Sequence, residues 1–194
     1  MQKYLFIILV SALFSCKNQE EVKQVYTYFD SQEFVQNEIQ EILNSELTIF
    51  KNISLNGVEE IQKIQKVDSQ FLYNEFKFLI DANINKPALY GKYETDTFSL
   101  NAKNSEGVEQ IHYTYILKDS LNKKLKTKSL SSIQNLQTNE ILGCLFHLES
   151  KNFMHAFSKD IYYEKNSGLR VDAWEKTLFQ DTIYYSTNLI LEKN

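Results

Sequence analysis

The spacing of apolar residues along the chain changes from a helical repeat to a repeat of two after Pro87. This change constrains the fold more than any other feature. Beyond it, apolar and polar side chains alternate and β-branched and aromatic residues are abundant, as is typical of strands. Six segments show the pattern: 90–100, 108–119, 125–130, 140–150, 153–165 and 181–193. The stretches "KNSEG" and "KNSGL" lie between some of them as turn signals. We therefore predict an antiparallel sheet.

Segment 139–149 stays open between strand and helix, because its apolar residues would also line one face of a helix. Gly143 and the aromatic content favour a strand. The strand order within the sheet is left undetermined.

The segment "IHYTYIL" makes a sharp prediction about the two faces of the sheet. Successive side chains of a strand point to opposite faces. One set, which we expect to lie under helices, is Ile111, Tyr113, Tyr115 and Leu117, and the other is His112, Thr114 and Ile116. In the last segment Ile183, Tyr185, Leu189 and Leu191 share a face in the same way.

The region before Pro87 has helical signals. Asp30 with Glu33 forms a capping box, and Phe29 with Phe34 forms a hydrophobic staple. A helical stripe follows at Val35, Ile39, Leu43, Leu47 and Phe50, with Ile42 beside it. After "NISLNG", Asn56 with Glu59 repeats the capping signal, and a second stripe runs through Val58, Ile61, Ile64, Val67, Phe71, Phe76 and Leu79 to about Ala82. Asn83, Asn85 and Pro87 end it.

These two stripes predict an antiparallel helical hairpin over residues 31–82. Helices that precede strands indicate an α+β fold, with the hairpin packed on one face of the sheet. We expect one globular domain over 29–194, with a helical part at 29–83 and a β-rich part at 88–194.

The N-terminus carries an apolar run, Tyr4 to Phe14, that is shorter than the about 20 residues a spanning helix needs. Lys3 before it and the small Ser15 after it are typical of a secretory signal peptide. "LFSC", Leu13 to Cys16, resembles the lipobox of bacterial lipoproteins, although Phe14 departs from the usual residue type. An ordinary signal peptide with an incidental cysteine is the alternative.

The resemblance implies that residues 1–15 are a signal peptide and that Cys16 becomes a lipidated first residue. Two or more acyl chains would hold the protein on a membrane. Residues 16–28 are predicted to be a tether that keeps the domain about 20 Å from the lipid. Lys17 in place of Asp indicates the outer membrane, and the periplasmic or the surface face stays open.

Charge and cysteine content exclude some classes of function. Without residues 1–15 the chain has 20 basic and 25 acidic side chains, so nucleic acid is not an expected partner. The 20 Lys, 17 Asn and 17 Ile are explained by an AT-rich genome. After lipidation of Cys16 only Cys144 remains, so no intramolecular disulfide is expected.

The sequence shows no G-x-S-x-G, H-E-x-x-H, C-x-x-C or phosphate-binding glycine motif. Cys144 and His147 are near in sequence; an offset of three places them on opposite faces of a strand, whereas on a helix they would share a face. The spacings of His112, His147 and His155 match no metal motif. We therefore predict no catalytic residues, no metal, no cofactor and no enzyme activity.

We interpret Lys123, Lys124, Lys126 and Lys128 as solvated side chains or as a charged edge strand that resists pairing, with a site for an anionic ligand as the alternative. The leading functional hypothesis is a non-enzymatic interaction module for another envelope component. The alternatives are capture of a saccharide or small ligand in an aromatic cleft, supported by Tyr162-Tyr163 and Tyr184-Tyr185, and an envelope hydrolase.

Overall fold

The computed structural model describes residues 28–100, 108–118 and 125–193, without the side chains of 98–100. The predicted signal peptide, Cys16 and almost all of the predicted tether lie outside these residues, and so do Lys123 and Lys124. Two α-helices and nine strands occur in the described part of the chain: α1 Ser31–Leu43, β1 Leu47–Leu55, β2 Val58–Ile64, α2 Ser69–Asp81, β3 Tyr93–Leu100, β4 Gln110–Leu117, β5 Thr127–Asn135, β6 Ile141–Lys151, β7 His155–Glu164, β8 Gly168–Thr177 and β9 Ile183–Lys193.

All nine strands belong to one antiparallel sheet with the order β2-β1-β9-β8-β7-β6-β5-β4-β3. Strands β3 to β9 follow one another as a meander, and the β1–β2 hairpin adds to its far side through β1, which pairs with β9. Both helices contribute to a core with one face of the sheet. The other face, called the open face below, carries no helix among the described residues.

Helix α1 begins as the sequence predicts. The side chain of Asp30 accepts hydrogen bonds from the backbone N–H groups of Gln32 and Glu33. The rings of Phe29 and Phe34 pack with centroids 5.6 Å apart, as expected for the staple. Val35, Ile39 and Ile42 are buried.

The predicted helical hairpin over residues 31–82 is wrong, because residues 47–64 form the β1–β2 hairpin. Its turn is Asn56-Gly57, with φ of 50° and 86°. An Asn-Gly pair with both residues at positive φ is the strongest short signal for a two-residue hairpin turn. The stretch Leu47 to Leu55 also alternates with a period of two. Helix α2 is therefore shorter than predicted, and Asp68 rather than Asn56 caps it.

The buried core lies between the helices and the sheet. Its largest fully buried side chains are Phe76, Phe146, Ile49, Leu72, Leu79, Ile84, Leu130, Ile161 and Leu189. In β4, Tyr115 is buried in this core, and Tyr113 and Leu117 pack against it, whereas Ile116 on the open face is exposed. The predicted division of "IHYTYIL" between two faces is therefore confirmed for Tyr113, Tyr115, Ile116 and Leu117, whereas Ile111, His112 and Thr114 are all half-buried.

The six predicted strand segments all contain strands, and 139–149 resolves as strand β6. Strand β8, where Leu169, Val171 and Ala173 alternate with polar and aromatic residues, was not among the predicted segments. The interpretation of the lysines as an edge strand is wrong for Lys128, because β5 lies inside the sheet between β4 and β6.

Candidate ligand-binding trough

The open face of the sheet is organised in cross-strand rows that the registers fix. One row runs Thr114, Ser131, Leu145, Tyr162, Arg170 and Asn188 across β4 to β9. The row beside it, nearer the turns at 136–140 and 165–167, runs His112, Ile133, Gly143, Glu164, Gly168 and Ile190. Polar, apolar and glycine residues thus meet on a surface that the helices leave uncovered.

Two glycines of the second row leave the backbone at these positions without a covering side chain. A Cβ at Gly143 would lie 3.0 Å from the carbonyl oxygen of Tyr163, and one at Gly168 would lie 1.8 Å from that of Leu189. Gly168 also has a φ of 129°, a backbone angle that residues with a side chain rarely adopt. Glycine inside a strand often marks a bend or a close approach of another group. The pairing of β5 with β6 shifts register between Ile133 and Gln134, beside Gly143.

These rows line an open trough of about 1540 Å³. Its apolar lining comes from Ile133, Leu142, Leu145 and Ile190, and its polar lining includes His112, Asn135, Glu164, Arg170, Asp172 and Asn188. Tyr162, which is 42% exposed, contributes an aromatic ring. A ligand in the trough would therefore meet both hydrogen-bonding groups and flat apolar surface.

The basic side chains that line the trough form ion pairs with neighbouring carboxylates. Arg170 Nε lies 2.8 Å from Asp172 Oδ2. At the end near the turns, Lys165 Nζ lies 2.7 Å from Glu140 Oε1 and 2.7 Å from Glu41 Oε2. Burial alone would lower the pKa of Lys165, but the hydrogen bonds to Glu140 and Glu41 raise it, so this side chain stays cationic.

Two trough residues have pKa values that their surroundings shift. Burial lowers the pKa of His112, so its imidazole favours the neutral form. Burial, followed by the carboxylates of Asp160 and Asp172, raises the pKa of Tyr162, so its hydroxyl stays protonated and can donate a hydrogen bond.

Behind the trough, on the helix side, a buried polar contact joins α1 to the sheet. The hydroxyl of Tyr163 donates a hydrogen bond to Glu38 Oε2. Burial raises the pKa of Glu38, although this hydrogen bond and Lys165 act in the opposite direction. Burial also raises the pKa of Tyr163. Adjacent tyrosines therefore serve different surfaces, with Tyr162 in the trough and Tyr163 in the core.

The structure places Cys144 and His147 on opposite faces of β6, as the offset of three predicts. Cys144 is buried, and burial raises the pKa of its thiol, which disfavours the reactive thiolate. His147 Nδ1 lies 2.7 Å from Asp160 Oδ1 on the open face. A cleft that gathers Cys144, His147 and a carboxylate would have favoured the hydrolase hypothesis, and the described residues do not form one.

The three histidines are not brought together. His155 Nε2 pairs with Glu175 Oε1 at 2.7 Å, His147 pairs with Asp160, and His112 lies in the trough. Over residues 28–100, 108–118 and 125–193, no group of three or more His, Cys, Asp and Glu side chains is arranged to hold a metal ion. No helix within the same ranges is both long and apolar enough to cross a membrane.

Sequence reasoning missed the trough itself. The doubled tyrosines suggested an aromatic cleft, yet Tyr163 and Tyr185 lie on the helix side of their strands. The alternation in "GLRVDAWEKT" would have identified β8 and placed Arg170 and Asp172 on one face. Which strands lie beside β8 depends on pairing across the whole chain, and the local sequence carries no such signal.

Comparison with known proteins adds little to this geometry. The chain matches no family model and no curated protein. Among solved structures, it is similar to the S-type phycobiliprotein lyase CPES from Guillardia theta, with 8% sequence identity, 86% of this chain and 93% of that chain covered, and a TM-score of 0.27. A likeness this weak supports neither a fold assignment nor a function.

Proposed function

We propose that this chain is a lipid-anchored envelope protein that binds a saccharide or another small polar ligand in the trough. The observation that carries the proposal is the trough on the open face, about 1540 Å³ in volume and lined by polar and apolar side chains. Small-ligand pockets typically enclose about 300–1,000 Å³, so the trough has room for a ligand of that size or larger.

The lining favours a saccharide over a purely apolar ligand. Sugar rings have apolar faces and a rim of hydroxyl groups, so they need flat surface and hydrogen-bonding groups together. The exposed ring of Tyr162 offers the surface, and Arg170, Asp172 and Asn188 beside it offer donors and acceptors. We propose binding rather than catalysis, because the Cys144–His147 pair of the hydrolase hypothesis is split between two faces.

A saccharide microarray with cell-wall and capsular glycans tests the proposal. Tyr162→Ala should weaken binding to the best saccharide about tenfold, which corresponds to ~1.4 kcal/mol. Tyr73→Ala is the matched control, because Tyr73 lies on α2 and is 44% exposed, close to the 42% of Tyr162. An equal loss in both variants, or no saccharide bound by the wild-type protein, would contradict the proposal.

The lipid anchor is a separate part of the proposal, supported by the lipobox resemblance at Leu13 to Cys16. The thioether needs the thiol of Cys16, so Cys16→Ser should abolish incorporation of an alkyne fatty acid in cells. Label retained on the Cys16→Ser protein would refute acylation at this residue.

An interaction with another envelope protein is the second candidate. Strand β2 is an edge of the sheet, and Val58 and Ile61 on it are exposed. An exposed strand edge can accept a further strand from a partner. A photo-crosslinking residue at Ile61 should then capture a defined partner in cells, whereas one at Leu136, an exposed residue in the β5–β6 turn, should not.

A further inference from the structure

Three hairpin connections lie at one end of the sheet, and hydrogen bonds link them to one another and to the start of β9. Leu178 N donates to Met154 O at 2.9 Å, which links the β8–β9 and β6–β7 connections. Asn56 N donates to Tyr184 O, and Tyr184 N donates to Asn56 Oδ1, both at 2.8 Å, which links the β1–β2 turn to β9. The three connections therefore form one surface.

This surface presents large apolar side chains to solvent. We call them the tip cluster: Val58, Phe153, Met154, Leu178, Phe179 and Tyr184. Phe179 is 90% exposed and Phe153 is 83% exposed. Side chains this exposed contact almost nothing in their own protein, so they project from the hairpin ends. A contiguous exposed apolar patch commonly marks a surface that another apolar phase covers.

The start of the described chain lies at the same end of the strands. The hydroxyl of Tyr28 donates to the carbonyl of Tyr93, the first residue of β3. The hydroxyl of Tyr93 donates to the carbonyl of Thr127, the first residue of β5, which pairs with Leu148 near the end of β6. In this meander the starts of β3 and β5 and the end of β6 share one end of the sheet.

The position of Tyr28 determines which end of the domain a lipid on Cys16 would hold near the membrane. Twelve residue steps separate Cys16 from Tyr28, so the chain between them can reach at most roughly 40 Å. Confinement over this distance gives the tip cluster a high effective concentration toward the bilayer that the lipid enters. Projecting aromatic and aliphatic side chains are suited to the headgroup and acyl boundary.

We infer that the tip cluster docks on the lipid surface of the membrane that carries the anchor. The inference rests on the proposed lipidation of Cys16. Lys151 and Lys176 are exposed on the strands that lead to Phe153 and Phe179, and their stems can bring the charged groups to lipid phosphates. Asp181 lies in the same region, so burial of apolar surface rather than net charge carries the binding.

Tryptophan quenching in vesicles tests the docking. The full acylated protein is placed in phosphatidylcholine–phosphatidylglycerol vesicles that contain brominated acyl chains. In a Trp174→Phe background, Phe179→Trp is the reporter, and Leu136→Trp at the opposite end of the sheet is the matched control, with Leu136 44% exposed. Quenching by bromine should be about twofold or more for Phe179→Trp and near zero for Leu136→Trp, since only groups at the acyl boundary meet bromine.

Equal quenching at both positions, or none at either, would overturn the inference. Crosslinking between copies at Phe179 without quenching would overturn it in favour of a second copy of this chain. Flotation of the protein with vesicles is read separately and reports on the anchor. A protein that does not float with the vesicles is not anchored by a lipid on Cys16. In that case quenching is measured with an excess of added vesicles, which still shows whether the tip cluster binds lipid.

Discussion

The adjacent residues Tyr162 and Tyr163 provide the sharpest test of how the sheet divides its two faces. Tyr163 is 3% exposed, and its ring lies 5.1 Å from Phe34 and 5.9 Å from Phe76, centroid to centroid. Truncating a large aromatic side chain in a core costs about 3–5 kcal/mol. Tyr163→Ala should therefore lower the free energy of unfolding by that amount.

Tyr162→Ala should cost less than about 1 kcal/mol, because Tyr162 is partly exposed on the open face and packs under no helix. Tyr163→Phe isolates the hydroxyl. Without its donor, the buried carboxylate of Glu38 loses a hydrogen bond, which costs about 1–3 kcal/mol for a buried group left unsatisfied.

Urea unfolding followed by the fluorescence of Trp174, the single tryptophan of the chain, measures all three variants. The free energy of unfolding of typical domains is about 5–15 kcal/mol, so a decrease of about 3–5 kcal/mol remains measurable over most of that range. If Tyr162→Ala destabilises the protein as much as Tyr163→Ala does, the division into a core face and an open face is refuted.

Three further predictions concern single groups. Burial raises the folded-state pKa of Glu38 above 4.5, so the stability that this carboxyl contributes is present at pH below 4.5 and is lost as the pH rises through the raised pKa. Glu38→Gln should therefore make the free energy of unfolding less dependent on pH in that range. An unchanged dependence on pH would contradict this. Gly168→Ala should lower the free energy of unfolding by more than about 3 kcal/mol, because the new Cβ clashes with the backbone and φ is positive. Gly57→Ala, where φ is also positive but the surroundings are open, should lower it by about 1 kcal/mol. Equal melting temperatures of the two variants would refute the close approach at Gly168. Cys144 should react with iodoacetamide only as fast as the protein opens, because the thiol is buried and its pKa is raised, and rapid alkylation of the folded protein would show that it is accessible.

Local signals in the sequence predicted local structure well. The cap at Asp30, the packing of Phe29 on Phe34 and the alternation in "IHYTYIL" each depend on residues that are close in sequence. The same logic failed at Asn56-Gly57, where a capping pattern and a hairpin turn compete for the same residues. The period of two from Leu47 to Leu55 decides for the hairpin, and β1 gains its partners in β2 and β9.

The trough depends on contacts that are distant in sequence, and for this reason it could not be predicted. Arg170 and Asn188 become neighbours only through the pairing of β8 with β9. The role of Gly168 is set by the carbonyl of Leu189, which lies on another strand. Single-sequence reasoning gives the face on which a side chain lies and the element that it belongs to, but it does not give the order of nine strands.

Methyl NMR with the best saccharide from the array tests the central claim most directly. In protein labelled at the methyl groups of Ile and Leu, we expect chemical-shift changes concentrated at Ile133, Leu145 and Ile190, which line the trough. Ile161 in the core and Ile61 on the β2 edge should change little. Shifts centred on Ile61, or spread equally over trough, core and edge, would contradict a binding site in the trough.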